Sequence, residues 1–209
     1  MKKIGMIVAV EIQSVLDRFG SQLTEKKDVA GYQVLEYATG QYEWIIVNCG
    51  VGEIAAAAAT QYLISVYGVD LVVNFGVVGG LTEQMSRTKV CIVDKVVHYD
   101  MDTSKIDNIE VGRYLQYPDV YIPVTPELVS KALRMHPELR PVICASADKF
   151  VAEAARKREL HELYGADICE MEAAGIVLTC NSVGVSVELL GHPHVEPLEA
   201  CRKKRNNDK

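Results

Sequence analysis

No run of apolar residues in this 209-residue chain approaches the 18 or so that a membrane-spanning helix needs. No two cysteines stand in a C-x-x-C pair. The first absence argues against a membrane partner. The second argues against a zinc site or a disulfide framework. Cys49, Cys91, Cys144, Cys169, Cys180 and Cys201 lie mostly inside apolar runs and read as reduced, buried thiols of a cytoplasmic protein. Positive charge is in deficit, with 22 Lys and Arg against 28 Asp and Glu, and the net charge of -6 argues against nucleic acid or another polyanion as partner. Internal repeats and a domain linker are also missing. The opening "MKKIGMIVAVEIQ" has a basic start but no small-residue cleavage site, so it reads as a first buried strand and not a signal peptide. What remains is an ordinary soluble composition, 49% apolar and 24% charged, long enough for one domain with a sizeable core.

Apolar runs alternate with helical patterns. Strands are predicted at 4–10, at 32–40 and 42–50 around the turn Thr39-Gly40-Gln41, and at 70–76, 89–99, 140–146 and 166–171. Helices are predicted at 53–68, 125–136, 153–165 and from 172 onward. Thr125 as N-cap followed by Pro126 is a strong helix start. This alternation implies an α/β fold with a mixed or mostly parallel sheet covered on both faces. Sites in such folds gather at the carboxyl ends of the strands. The irregular stretch 100–123, rich in Asp, Tyr and Pro, reads as a functional excursion.

Two glycine segments follow strands. "NCGVGEIA" matches G-x-G-x-x-A through Gly50, Gly52 and Ala55, the outline of a dinucleotide fingerprint. The next strand ends in "VVNFG", with Asn74 where an acid should hold a ribose, so a nicotinamide or flavin cofactor is not expected. The second segment, "NFGVVGGLT" (74–82), reads equally as a plain irregular turn or as a place where backbone N–H groups approach a ligand oxygen. Downstream, "ICEMEAAGIVLTC" places Glu170 and Glu172 where an apolar strand becomes an apolar helix. Glu172 either steadies the helix dipole or faces a ligand with two adjacent hydroxyls, such as a ribose. Glu170, on the opposite strand face, is expected to pair with a basic neighbour.

Taken in order, "IGMIVAVE", "NCGVGEIAAA", "NFGVVGGLT", "ASADKFV" and "EMEAAGI" resemble the purine nucleoside phosphorylase superfamily, in particular its methylthioadenosine/S-adenosylhomocysteine nucleosidases. The resemblance runs from residue 3 to about 185. It implies a three-layer α/β sandwich around a mixed, partly barrel-like sheet, no cofactor or metal, a purine nucleoside or adenine as ligand, and a homodimer. It also implies roles. Glu172 would hold the ribose hydroxyls and Met171 would pack on the sugar. Phe150 would flank the base and the Val151 backbone would read its edge. Gly76 and Val77 would line the place of the attacking water or phosphate. Without the resemblance, Phe150 and Met171 read as core residues.

The departures point to an impaired enzyme. Nucleosidases of this kind carry three acids at the end of the first strand, and the third activates water; here the run is "AVEIQ", with Gln13 in the third place and Glu11 in the first, expected to point elsewhere. A Ser-Asp pair that ends a later strand, and whose Asp protonates the purine, has no counterpart in "GVSVELLGHPHVEPLEACRKKRNNDK". Asp148 is the one nearby acid that could substitute. Arg87 and Arg113 are the basic residues that could sit near the pocket. The expected organisation is a nucleosidase-like domain over 1–186 and an atypical tail over 187–209 that reads as foreign to the fold, as a shifted reading frame or premature end would produce; the alternative is a genuine variant in which "VSVELLG" still forms the strand and the tail is disordered. Hydrolysis of a purine nucleoside is the leading reading; a phosphate-dependent phosphorylase and a non-catalytic nucleoside-binding protein are its alternatives.

Overall fold

A computed structural model describes residues 2–194. The elements in chain order are β1 (Lys2–Val8), α1 (Ile12–Phe19), β2 (Leu23–Val29), β3 (Tyr32–Thr39), β4 (Tyr42–Asn48), α2 (Glu53–Tyr62), β5 (Leu71–Gly80), β6 (Cys91–His98), α3 (Ser104–Asp107), β7 (Ile122–Pro123), α4 (Pro126–Met135), β8 (Arg140–Ser146), α5 (Ala154–Tyr164), β9 (Ile168–Glu170), α6 (Ala173–Val183) and β10 (Ser186–His194). The alternation read from the sequence is observed, with α1 and β2 as elements that the reading did not contain.

The strands form one mixed sheet in the order β10-β6-β8-β9-β5-β1-β4-β3-β2, and a further β10–β5 pairing closes the first five into a barrel. This is the partly barrel-like sandwich that the resemblance implied. β5 is the hinge of the architecture: it pairs in parallel with β1 and β10 and antiparallel with β9. α2 packs on β1 and on α6, and α6 packs in turn on β6, β8 and β10. The α2–α6 approach depends on Gly175, because a Cβ there would collide with the Glu53 carbonyl. Cys49, Cys91, Cys144, Cys169 and Cys180 are free thiols, all but Cys49 buried. Among the described residues, no helix is long and apolar enough to cross a membrane.

Three expectations are corrected. The stretch 74–82 is largely strand, not turn: β5 runs on to Gly80. Its glycines make room where the barrel closes, since a Cβ on Gly79 would stand 2.9 Å from Cys169 Sγ. Thr125 precedes α4 without capping it; its hydroxyl accepts the Val187 N–H at 2.9 Å and ties the helix to β10. The expected tail boundary at 186/187 falls inside β10, which pairs with β5 from Ser186↔Leu71 to His194↔Gly79. Val187 and Leu189 point into the core, 0% and 1% exposed. Glu188 and His192 keep to the period-two burial of residues 187–194, but Leu190 at an outward position and Gly191 and Pro193 at inward ones blur it in composition. Residues 195–209, with the charge run "RKKRNNDK", lie outside the described residues.

The start of α6 answers what Glu170 does. One carboxylate oxygen accepts the N–H groups of both Glu172 and Ala173, each at 2.7 Å. Glu170 therefore caps the helix from two residues upstream and pairs with no basic neighbour, contrary to expectation. Burial, and then the Glu172 charge, push its carboxyl up to about 7 against these favourable N–H bonds. A raised carboxyl favours the protonated fold. Its stabilising contribution is full below the ordinary carboxyl range near pH 4.3 and is lost as pH rises through about 7. Chemical denaturation from pH 4.5 to 8 is expected to show a stability decline that Glu170→Gln flattens, at most about 1.4 kcal/mol per pH unit. Identical slopes for the two proteins would contradict this.

Candidate active site

Five segments converge at the carboxyl side of the sheet: Glu11 after β1, Cys49–Gly52 after β4, Gly76–Val77 within β5, Ser146–Val151 at the end of β8, and Glu170–Glu172 at the end of β9. Three carboxylates, Glu11, Asp148 and Glu172, share this region, and each is held by backbone N–H groups. Glu172 Oε1 accepts the Gly52 N–H at 2.8 Å, and Oε2 accepts the Met171 N–H at 3.2 Å. Asp148 Oδ1 accepts the Glu53 N–H at 2.7 Å. These two acids thus occupy the positive end of α2. Gly52 permits it: its φ is 105°, and a Cβ would stand 2.8 Å from Asp148 Oδ1. Glu11 Oε1 accepts the Val77 N–H at 3.0 Å and Oε2 the Val10 N–H at 3.1 Å.

The electrostatics follow from this crowding. Burial raises the Glu172 carboxyl above its ordinary range; the Gly52 and Met171 N–H groups oppose the rise, and the charges of Glu11 and Asp148 add to it. Burial, then the Glu172 charge, push the Cys49 thiol up to about 12, so it is no nucleophile at neutral pH.

A second polar network lies behind the first. Glu53 Oε2 stands 2.8 Å from His98 Nε2, which also meets Asp100 Oδ1 at 3.0 Å. His98 Nδ1 meets the Tyr114 hydroxyl at 2.7 Å. The Ser146 hydroxyl donates to Glu53 Oε1 at 2.9 Å and accepts the Ala174 N–H at 3.0 Å. Burial alone would lower the His98 pKa, but Glu53 and Asp100 more than offset it and the net shift is upward. An open cavity of about 410 Å³ between α2 and α6 is bordered by Glu53, His98, Asp100 and Asp148. Glu172 is not among its lining residues, so this cavity adjoins the carboxylate cluster without containing it. Among the described residues, no group of three His, Cys, Asp or Glu side chains is arranged to hold a metal ion.

The sequence-derived candidates separate as follows. Glu172, Gly76 and Val77 come together around the cluster, with Met171 contributing its N–H. Val151 is buried beside Tyr99 and Ala147. Phe150 is 68% exposed, which overturns its reading as a core aromatic. Gln13 is not in the cluster: it lies on α1 and its amide donates to Asp17 Oδ1 at 2.7 Å. Glu11, expected to point elsewhere, is the acid of that run which turns to the site. An acid directly after a buried strand was the available signal. Arg113 pairs with Glu110 at 3.0 Å, and the Arg87 side chain lies outside what the structure describes.

Comparison with known proteins agrees with this architecture. A family profile described as the phosphorylase superfamily matches residues 3–189. A 5'-methylthioadenosine/S-adenosylhomocysteine nucleosidase of Shewanella oneidensis is 28% identical over 188 residues, covering 88% of this chain and 79% of the relative. The structure of a futalosine hydrolase mutant of Helicobacter pylori superposes with a TM-score of 0.84 at 26% identity, over 92% of this chain and 85% of that one. A point mutant of an H. pylori nucleosidase, solved with 5'-methylthioadenosine in its active site, gives the same TM-score, identity and coverage. The profile match across nearly all of the described residues shows that the chain belongs to the phosphorylase superfamily.

Proposed function

We propose that this chain binds a purine nucleoside and hydrolyses its N-glycosidic bond, with methylthioadenosine and S-adenosylhomocysteine as the substrate class. The observation that carries the reading is Glu172, a half-buried carboxylate whose two oxygens are already oriented by the Gly52 and Met171 N–H groups. Each oxygen keeps a free lone pair. Two adjacent ribose hydroxyls match that pair of acceptors, and pre-orientation lowers the cost of ordering the sugar. Met171 would pack on the sugar, the exposed Phe150 ring would flank the base, and the Val151 backbone would read the base edge. The clustered charges of Glu11, Asp148 and Glu172 also favour water over phosphate as nucleophile, because phosphate would meet like charge. Turnover is expected to be slow. Asp148, the acid beside the base-flanking loop, is tied to the Glu53 N–H, and β10 ends His192-Pro193-His194 without the Ser-Asp pair. A missing general acid typically costs about 10²–10⁴-fold.

We further propose that two copies associate through the face carrying Val51, Ile54 and Phe150, which are 52%, 81% and 68% exposed. Exposed large apolar side chains on the segments that flank a polar site are what an interface between copies would cover. Sedimentation is expected to give a dimer that Ile54→Asp splits; a wild-type monomer at micromolar concentration would contradict it.

Adenine release from methylthioadenosine tests the function. The expected rate is slow and the same with or without phosphate; a rate that requires phosphate would make the protein a phosphorylase. Binding without any release would make it a nucleoside-binding protein. Glu172→Gln is expected to weaken methylthioadenosine roughly 10- to 100-fold in calorimetry, the value of one charge-assisted bond of about 1.5–3 kcal/mol, and to leave free adenine nearly unchanged. Equal losses for both ligands would return Glu172 to a purely structural role.

A further inference from the structure

We infer that Glu11 is the group that takes the proton from the attacking water, an assignment that rests on the hydrolase reading above. Glu11 stands directly before α1, where an acid would ordinarily cap the helix, yet it makes no capping bond. Its carboxylate turns instead across 66 residues of sequence to the Val77 N–H, with the Val10 N–H holding the other oxygen. The strand beneath is built to admit it. A Cβ on Gly76 would stand 3.2 Å from Glu11 Oε1, and the residue paired with Gly76 on the neighbouring strand is Gly191. The floor beneath this carboxylate is bare backbone, and Val77 beside it is 55% exposed.

Glu11 faces the same space as Glu172. Its charge contributes to raising both the Glu172 carboxyl and the Cys49 thiol. The other acids of the region have other tasks: Asp148 Oδ1 holds the Glu53 N–H, Glu170 caps the start of α6, Glu53 is held by His98 and Ser146, and Glu172 is the acceptor assigned above to the ribose hydroxyls. Gln13 is turned to Asp17, and an amide is no base. Glu11 commits one lone pair per oxygen to backbone N–H groups, which fix its direction and leave the second pair free.

The step balances as follows. The bond between the anomeric carbon and the purine nitrogen breaks, and its electron pair leaves with the purine. The water oxygen bonds to the anomeric carbon. Glu11 removes one water proton, and the departing purine is protonated from solvent. Glu11 then returns its proton to solvent, so nucleoside and water become free sugar and purine.

Steady-state adenine release from methylthioadenosine by wild type, Glu11→Gln, Glu11→Ala and Gln13→Ala is the test, with calorimetric binding measured on the same preparations. Glu11→Gln keeps an acceptor oxygen for the backbone but no base. Its kcat is expected to fall about 10²–10⁴-fold while KM and affinity stay within about threefold. Gln13→Ala is expected to match wild type, and added formate is expected to restore part of the rate to Glu11→Ala, which a merely structural role would not allow. If wild type releases adenine and Glu11→Gln keeps pace with it, this assignment falls and the hydrolase reading stands. If wild type hydrolyses no nucleoside, both fall together.

Discussion

The carboxylates at one end of this sheet, half-buried except for the exposed Asp148, are held by backbone N–H groups. A buried acid with no cation must find N–H dipoles or lose its charge. Here Glu172 finds Gly52 and Met171, Asp148 finds Glu53, Glu170 finds the first amides of α6, and Glu11 finds Val77 and Val10. The bond from Glu172 to Gly52 spans 120 residues and locks the start of α6 against the start of α2. The rest of the site depends on that lock. It sets the direction of the Glu172 carboxylate, and the turn that it holds carries Glu53 into reach of His98 and Ser146.

Glycine is the residue that makes such solvation possible. Gly52 takes a backbone conformation that a side chain would strain and leaves room for Asp148; Gly76 leaves room for Glu11; Gly175 lets α2 and α6 approach until their N-terminal ends face one set of acids. Barrel closure and site assembly are therefore one event. β5 carries glycines both where it meets β9 and β10 and where it donates the Val77 N–H to Glu11.

Much of this is legible in the sequence, because strand and helix patterning is local. The order of elements, Pro126 opening α4, and Glu172 at a strand-to-helix junction all follow from runs of a few residues. What stays hidden depends on contacts far apart in the chain. The stretch 74–82 reads as a turn because glycine disfavours strands in isolation, but its neighbours across the barrel demand small residues. Residues 187–194 read as foreign because Gly191 and Pro193 stand at inward positions and mask an alternation that the pairing with β5 and β6 reveals. Glu11 and Gln13 differ by two residues, and a helix start between them sends one to the sheet and the other to Asp17. Motif position alone points to Gln13, whereas the direction of the side chains points to Glu11. Glu170 escapes the sequence for a related reason: its partners are the amides two and three residues ahead, not a side chain.

The most direct measurement is a crystal structure of the protein with a non-hydrolysable purine nucleoside analogue. The ribose diol is expected within hydrogen-bond reach of Glu172, the base beside Phe150, and an ordered water between Glu11 and the anomeric carbon. An analogue lodged instead in the cavity bordered by Glu53, His98 and Asp100, with the Glu11 and Glu172 carboxylates untouched, would contradict this.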